Sequence, residues 1–205
     1  MLEVTGVVER RGRAKVFVDG EFWAELDLAV VFERGLREGT MLSSEELAEA
    51  RVAGERPLAM SRALNTLGYR PRAVRELRER LGRAGYAAET VDAVVRRLEE
   101  LGYLDDEEFA RETARGKARK YGPRRIVEEL CRSGVAEEVA RGAVEEEFEE
   151  RSEYGLALEA ARRRYNTGGG SDAIARRVYG FLVRRGYSAE ICAEVARLYR
   201  LETGG

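Results

Sequence analysis

The chain has 205 residues, 44% of them hydrophobic and 36% charged, with a formal net charge of −2. It is too apolar to be disordered, and its near-neutral charge argues against an affinity drawn mainly from counterion release along a nucleic acid. Histidine is absent and cysteine occurs twice, which removes the usual general base and a self-sufficient structural zinc site.

In chain order, Leu2 to Glu9, Ala14 to Val18 and Glu21 to Leu26 carry β-branched and aromatic residues, with Arg11-Gly12 and Asp19-Gly20 between them. Asp-Gly supplies the positive φ that a two-residue hairpin turn needs, so a small three-stranded meander is predicted, with Val16, Val18 and Trp23 toward its packed face. A short helix is expected over 29–34, stopped at Gly35. Leu42-Ser43-Ser44-Glu45-Glu46-Leu47 then reads as a helix start in which Ser43 caps, Glu46 reaches back to it, and Leu42 and Leu47 form a hydrophobic staple. The sequence leaves open whether that helix passes Gly54 and Pro57, because proline suits a new first turn as well as a kink. Neither a signal-like N-terminus nor a run of roughly 18–20 apolar residues occurs, so a cytoplasmic location is expected.

From residue 64 a punctuation recurs: Leu64-x-x-x-Gly68-Tyr69, Leu81-x-x-x-Gly85-Tyr86, Leu98-x-x-x-Gly102-Tyr103, Leu130-x-x-x-Gly134-Val135 and Leu182-x-x-x-Gly186-Tyr187. Each is expected to end a helix in a left-handed glycine cap. A longer unit, Leu-x-Arg-x-Gly-(Tyr/Val)-x-x-Glu, begins at Leu81, Leu130 and Leu182, a period of about 50 residues that marks a repeat array. Apolar residues keep helical spacing on both sides of each glycine, and a third helix is expected before the second and third copies, over 109–118 and 156–165. The fold class is therefore mainly α: three tandem three-helix repeats in an elongated curved array, preceded by an N-terminal β-meander. The expected divisions are 1–42 for the meander and short helix, then 43–103, 104–151 and 152–205 for a linking helix with the first repeat, the second repeat and the third. Cys131 and Cys192 fall in apolar helical patterns and read as buried thiols. Gly168-Gly169-Gly170 lacks the Lys-Ser/Thr of a phosphate loop and reads as a flexible connector.

Asp105-Asp106-Glu107-Glu108 is an acidic cluster that metal binding or acid–base chemistry would use. The stronger reading is a helix start, with Asp105 as cap, Glu108 at N3, and Leu104 and Phe109 as staple. Residues 111–125 carry Arg111, Arg115, Lys117, Arg119, Lys120, Arg124 and Arg125 against Glu112 alone, whereas 137–153 carry eight glutamates against two arginines. Arg111, Arg115 and Arg119 lie four apart beside the alanines 110, 114 and 118, stacking like charges on one stripe. This suggests a binding face, against the competing reading of an ordinary solvated helix face. Arg162-Arg163-Arg164, Arg176-Arg177 and Arg184-Arg185 would extend it.

The run Leu64-Gly68-Tyr69-Arg70-x-Arg72, the motif Glu76-Leu77-x-x-x-Leu81, Gly102-Tyr103-Leu104-Asp105-Asp106-x-x-Phe109-Ala110 and Tyr121-Gly122-Pro123-x-x-Ile126-x-x-Glu129-Leu130 resemble the RecX family of recombinase regulators, in order and spacing, from about residue 57 onward. The third repeat departs from it at Gly168-Gly169-Gly170-Ser171, where its second helix should be entered. The resemblance implies three tandem three-helix repeats and a protein that is no enzyme and uses no cofactor or metal. It further implies binding to the RecA recombinase filament on single-stranded DNA, lowering ATP hydrolysis and strand exchange and restraining filament growth. Arg70, Arg72, Arg111, Arg115, Lys117, Arg119, Lys120, Arg124 and Arg125 are then the expected contacts to filament or DNA. Gly102, Tyr103, Asp105 and Gly122 are carried over as architecture. A monomer without membrane association is expected. The alternative is a stand-alone single-strand nucleic-acid binder, favoured by the arginine runs and Tyr121 but opposed by the net charge and by aromatics scarce outside caps.

Overall fold

The computed structural model describes residues 1–165 and 172–201; the triple-glycine connector predicted at 168–170, with Ser171, lies outside them. Three strands, β1 (Leu2–Arg10), β2 (Arg13–Val18) and β3 (Glu21–Asp27), form the antiparallel meander. Arg11-Gly12 and Asp19-Gly20 turn it with φ of 49° and 79° and of 49° and 86°. The short helix α1 (Leu28–Glu33) follows, and then a fourth strand, β4 (Met41–Leu42), that pairs with β1 and gives the order β3-β2-β1-β4. Two residues carry no readable alternation, which is why the sequence did not announce β4.

Helix α2 runs unbroken from Ser44 to Tyr69 through both Gly54 and Pro57. Its start is the predicted capping box: the Glu46 N–H donates to the Ser43 hydroxyl at 3.1 Å and the Ser43 N–H to the Glu46 carboxylate at 2.7 Å. Gly54 is a contact residue, since a Cβ there would fall 2.8 Å from the Leu26 side chain. Pro57 faces solvent, where the carbonyl it leaves unbonded can be hydrated. The first half of α2 covers the sheet core of Val4, Ala14, Val16, Leu26 and Ala50. Its second half enters another core, packing Ala59 and Ala63 with Leu77, Leu81, Val94, Val95 and Leu98 of α3 (Val74–Arg83) and α4 (Ala88–Glu100). One helix thus serves as lid of the sheet and first helix of the first three-helix repeat. These elements form a compact unit of residues 1–104.

A second compact unit, residues 105–205, holds α5 (Asp106–Lys117), α6 (Pro123–Ser133), α7 (Glu137–Arg151), α8 (Glu153–Arg164), α9 (Asp172–Arg185) and α10 (Ala189–Leu201). Helices α5 and α6 pack on α7, and α8 and α9 on α10. Glycines 85, 102, 134 and 186 take φ between 72° and 102°. In each case the next N–H returns to the leucine carbonyl at C3: Tyr86 to Leu81, Tyr103 to Leu98, Val135 to Leu130 and Tyr187 to Leu182, at 2.9–3.4 Å. These are complete Schellman caps. Gly68 does not follow them. It lies inside α2, which ends instead at Arg70, held extended (φ −166°, ψ 155°) ahead of Pro71.

No described helix is long and apolar enough to cross a membrane. Cys192 is buried and Cys131 half-buried, both as free thiols.

Candidate functional site

In the first unit the two arginines expected to meet a partner are drawn into the fold. Arg72 is 9% exposed. Its guanidinium donates to the Glu76 carboxylate and, at 3.4 Å, to the Thr66 carbonyl. Arg70 donates to both Glu76 oxygens at 2.8 and 3.1 Å, and Arg80 approaches the same carboxylate at 3.3 Å. Burial alone would raise the Glu76 carboxyl, but the charges of Arg72 and Arg70 and the hydrogen bonds from Arg80 and Arg72 together hold it below the usual carboxylate range. Arg72 is therefore an internal brace between the end of α2 and the start of α3. Only Arg70, half-exposed, also faces solvent.

A second brace carried no sequence signal. Glu55, 2% exposed in the stretch of α2 that the sequence left undecided, accepts from Arg51 Nε, the Ala87 N–H and the Thr90 hydroxyl, each at 2.8 Å. A buried carboxylate so fully bonded serves as the missing cap of α4, whose own N-cap, Ala87, has no side-chain acceptor.

In the second unit the acidic cluster is a helix start. The Asp105 carboxylate accepts the Glu108 N–H at 2.9 Å, but Glu108 does not reach back; it accepts from Arg111 at 3.0 Å. Gly102 caps α4 with φ 72°, and the Tyr103 backbone completes that cap while its ring stays 58% exposed.

The basic run divides by what surrounds each cation. Ala110, Ala114 and Ala118 are buried, as the spacing required. Arg111 pairs with Glu107 and Glu108, Lys117 with Glu129, and Arg124 with Glu128. Arg115 and Arg119 are exposed and have no ion-pair partner among the described residues. The predicted helical stripe of Arg111, Arg115 and Arg119 is shorter than expected, because α5 ends at Lys117 and Arg119 sits in the turn beyond. That turn exists because Pro123 opens α6, with extended Gly122 as its N-cap.

Lys120 and Arg125 lie over the Tyr121 ring at 5.2 and 4.3 Å, together with Arg185 of α9 at 5.5 Å. Arg125 Nη1 donates to the Arg184 carbonyl at 3.1 Å, and Arg185 Nη1 donates to the Lys120 carbonyl. Three cations thus crowd one ring, and the hydrogen bonds of Arg125 and Arg185 go to neutral carbonyls rather than carboxylates, so the positive charge stays uncompensated. The turn is clamped from below as well, where the Gly122 N–H donates to the Arg185 carbonyl at 2.8 Å. Arg185 enters this cluster from a part of the chain that the sequence marked only as an extension of the basic run.

Sheet, three-helix units and basic surface together define the class: a mainly helical repeat protein with a small N-terminal antiparallel sheet. Two domain descriptions match it, the first three-helix domain of RecX over residues 59–98 and the second over 105–144. The regulatory protein RecX of Lactobacillus johnsonii is 33% identical over 153 residues, 73% of this chain and 56% of that protein, so the chain spans little more than half of its length. The regulatory protein RecX of Clostridium perfringens is 24% identical across 96% of both chains. A crystal structure of a regulatory protein RecX shares the fold with a TM-score of 0.63 at 22% identity, covering 96% of this chain and 100% of the other. That of RecX from Lactobacillus salivarius gives 0.64 at 18% identity over 72% of this chain and 97% of the other. The chain belongs to the RecX family of regulatory proteins.

Proposed function

We propose that this protein binds the RecA recombinase filament on single-stranded DNA and restrains it, lowering ATP hydrolysis, strand exchange and filament growth. It acts in the cytoplasm as a monomer, by binding rather than catalysis, and its repeats are 43–103, 104–151 and 152–205. Family membership supports the regulatory role. The observation that carries the contact surface is the exposed, uncompensated charge of Arg115 and Arg119 next to the Tyr121 cluster. Cations free of carboxylate partners raise the encounter rate with an acidic or phosphate-bearing assembly and orient the approach. The test is a titration of recombinase hydrolysing ATP on single-stranded DNA. The rate should fall as the protein is added, and a rate unchanged at molar excess contradicts the reading.

A further inference from the structure

Helix α9 is the most basic helix of the second unit, with Asp172 alone opposing Arg176, Arg177, Arg184 and Arg185. One of its faces forms a groove of about 450 Å³, enough for a nucleotide-sized group. Tyr165, Ala173, Arg176, Arg177, Gly180 and Arg184 line it, and among the described residues no carboxylate does. None of these three arginines is ion-paired among the described residues. A Cβ on Gly180 would lie 3.3 Å from Arg184 Nη1, so the missing side chain lets that guanidinium rest close against the helix.

Beside the groove, cations and rings alternate. Arg185 lies 4.9 Å from the Phe181 ring centroid and 5.5 Å from that of Tyr121, and Phe181 meets Tyr165 edge to face at 5.8 Å. Arg184 also lines a neighbouring groove with Tyr121, Arg124, Arg125 and Arg132. Glu128 and Glu129 line it too, so the basic track stays positive past the end of α9 but is partly offset there.

We propose that this track binds the phosphodiester backbone of a single-stranded nucleic acid, with Arg176, Arg177 and Arg184 as phosphate contacts. The guanidinium fork fits carboxylate and phosphate alike, so the arginines alone do not choose between a nucleic acid and an acidic peptide. The exposed guanidinium planes of Arg176, Arg177 and Arg184 and the half-buried Tyr165 ring in the groove favour the nucleic acid, because they can stack on unstacked bases, which a carboxylate-rich segment does not have. The site goes beyond the filament reading, since it needs no recombinase.

The test uses the full chain, a fluorescein-labelled oligothymidylate and fluorescence anisotropy, without recombinase. Three phosphate contacts predict a log–log salt slope of about −2, an affinity loss of about 20-fold between 50 and 200 mM salt. Replacing two of them in Arg176→Gln/Arg184→Gln should cut the slope to about −0.7 and the loss to about threefold. Both side chains are exposed, so the thermal melt of that variant should match the parent, and Arg75→Gln, at an exposed arginine paired with Glu79 in the first unit, should bind the strand normally. No binding at 50 mM, or a double variant that binds as the parent does, overturns the proposal. So does polyglutamate competing as well as the oligonucleotide, which would assign the track to an acidic protein segment. A parent chain that ignores the naked strand yet sediments with recombinase filaments overturns this site and leaves the filament reading standing.

Discussion

Gly122 and Gly186 face each other so closely that neither tolerates a side chain: a Cβ on Gly122 would fall 2.6 Å from the Gly186 carbonyl oxygen, and one on Gly186 2.6 Å from the Arg125 nitrogen. The reasons for the two glycines differ. Gly122 has an ordinary φ of −80° and is there for space, while Gly186 has φ 85° and is there for conformation as well. Gly122→Ala should destabilise by about 2–3 kcal/mol, the upper range for overpacking, because the obstruction is backbone. Gly142→Ala, inside α7 with nothing within 4 Å of the added carbon, should stabilise by about 0.5–1 kcal/mol. Urea unfolding of the two variants reads the opposite signs directly.

Glu55 should matter more to the first unit than any exposed ion pair. Glu55→Ala strands Arg51, the Ala87 N–H and the Thr90 hydroxyl together, a loss of about 3–5 kcal/mol as for breaking a buried pair. Thr90→Val removes one hydrogen bond and should cost about 1 kcal/mol. Equal losses from the two substitutions in denaturant unfolding would contradict the hub role of Glu55.

Arg72 and Arg124 separate architecture from surface. Arg72→Ala removes a buried guanidinium and the closest cation of the partly exposed Glu76, which keeps Arg70 and Arg80, and should cost about 2 kcal/mol. The Arg124 side chain is 80% exposed, and Arg124→Ala should cost less than about 0.5 kcal/mol. Stability curves for the pair check this. An Arg72→Ala chain as stable as the parent would return Arg72 to the candidate contacts.

Three groups set the pH limits. The Glu76 carboxyl is lower in the folded chain than in the unfolded one, so its contribution is complete above the ordinary carboxylate range and is lost as pH falls through the depressed value. Burial pushes the Tyr187 hydroxyl up to about 12 and the Cys192 thiol up to about 11. The unfolded chain releases those protons first, so stability falls as pH rises from 9 to 11 for Cys192 and from 10 to 12 for Tyr187. The buried Tyr187 hydroxyl has no hydrogen-bond partner among the described residues. Tyr187→Phe should therefore be at least as stable as the parent at neutral pH and lose less between pH 10 and 12, as thermal melts across that range would show.

The readable parts of this fold are those fixed by neighbours in sequence. Asp19-Gly20, the Ser43–Glu46 box and four of the five glycine ends each depend on a handful of adjacent residues, and each forms as the pattern requires. Gly68 failed because the deciding residue lay beyond the pattern: Pro71 holds Arg70 extended and stops the helix without a left-handed cap. Glu55, Arg72 and the Tyr121 cluster were illegible for a different reason. Glu55 meets Ala87 and Thr90 across 32 and 35 positions, and Arg125 meets the Arg184 carbonyl across 59. Arg72 finds Glu76 only four positions on, but a local charge count cannot tell an arginine braced inside from one offered outside. Among the basic residues singled out, the sequence gives the composition of the surface and the packing sorts its members.

Sedimentation of the protein with recombinase assembled on single-stranded DNA, comparing the parent with Arg115→Glu/Arg119→Glu, tests the central claim most directly. Both side chains are exposed and unpaired among the described residues, so the double variant should keep its fold. It should leave the pellet, or require at least tenfold more protein to reach it, while the parent co-sediments. A parent that stays in the supernatant, or a variant that pellets as the parent does, contradicts the account.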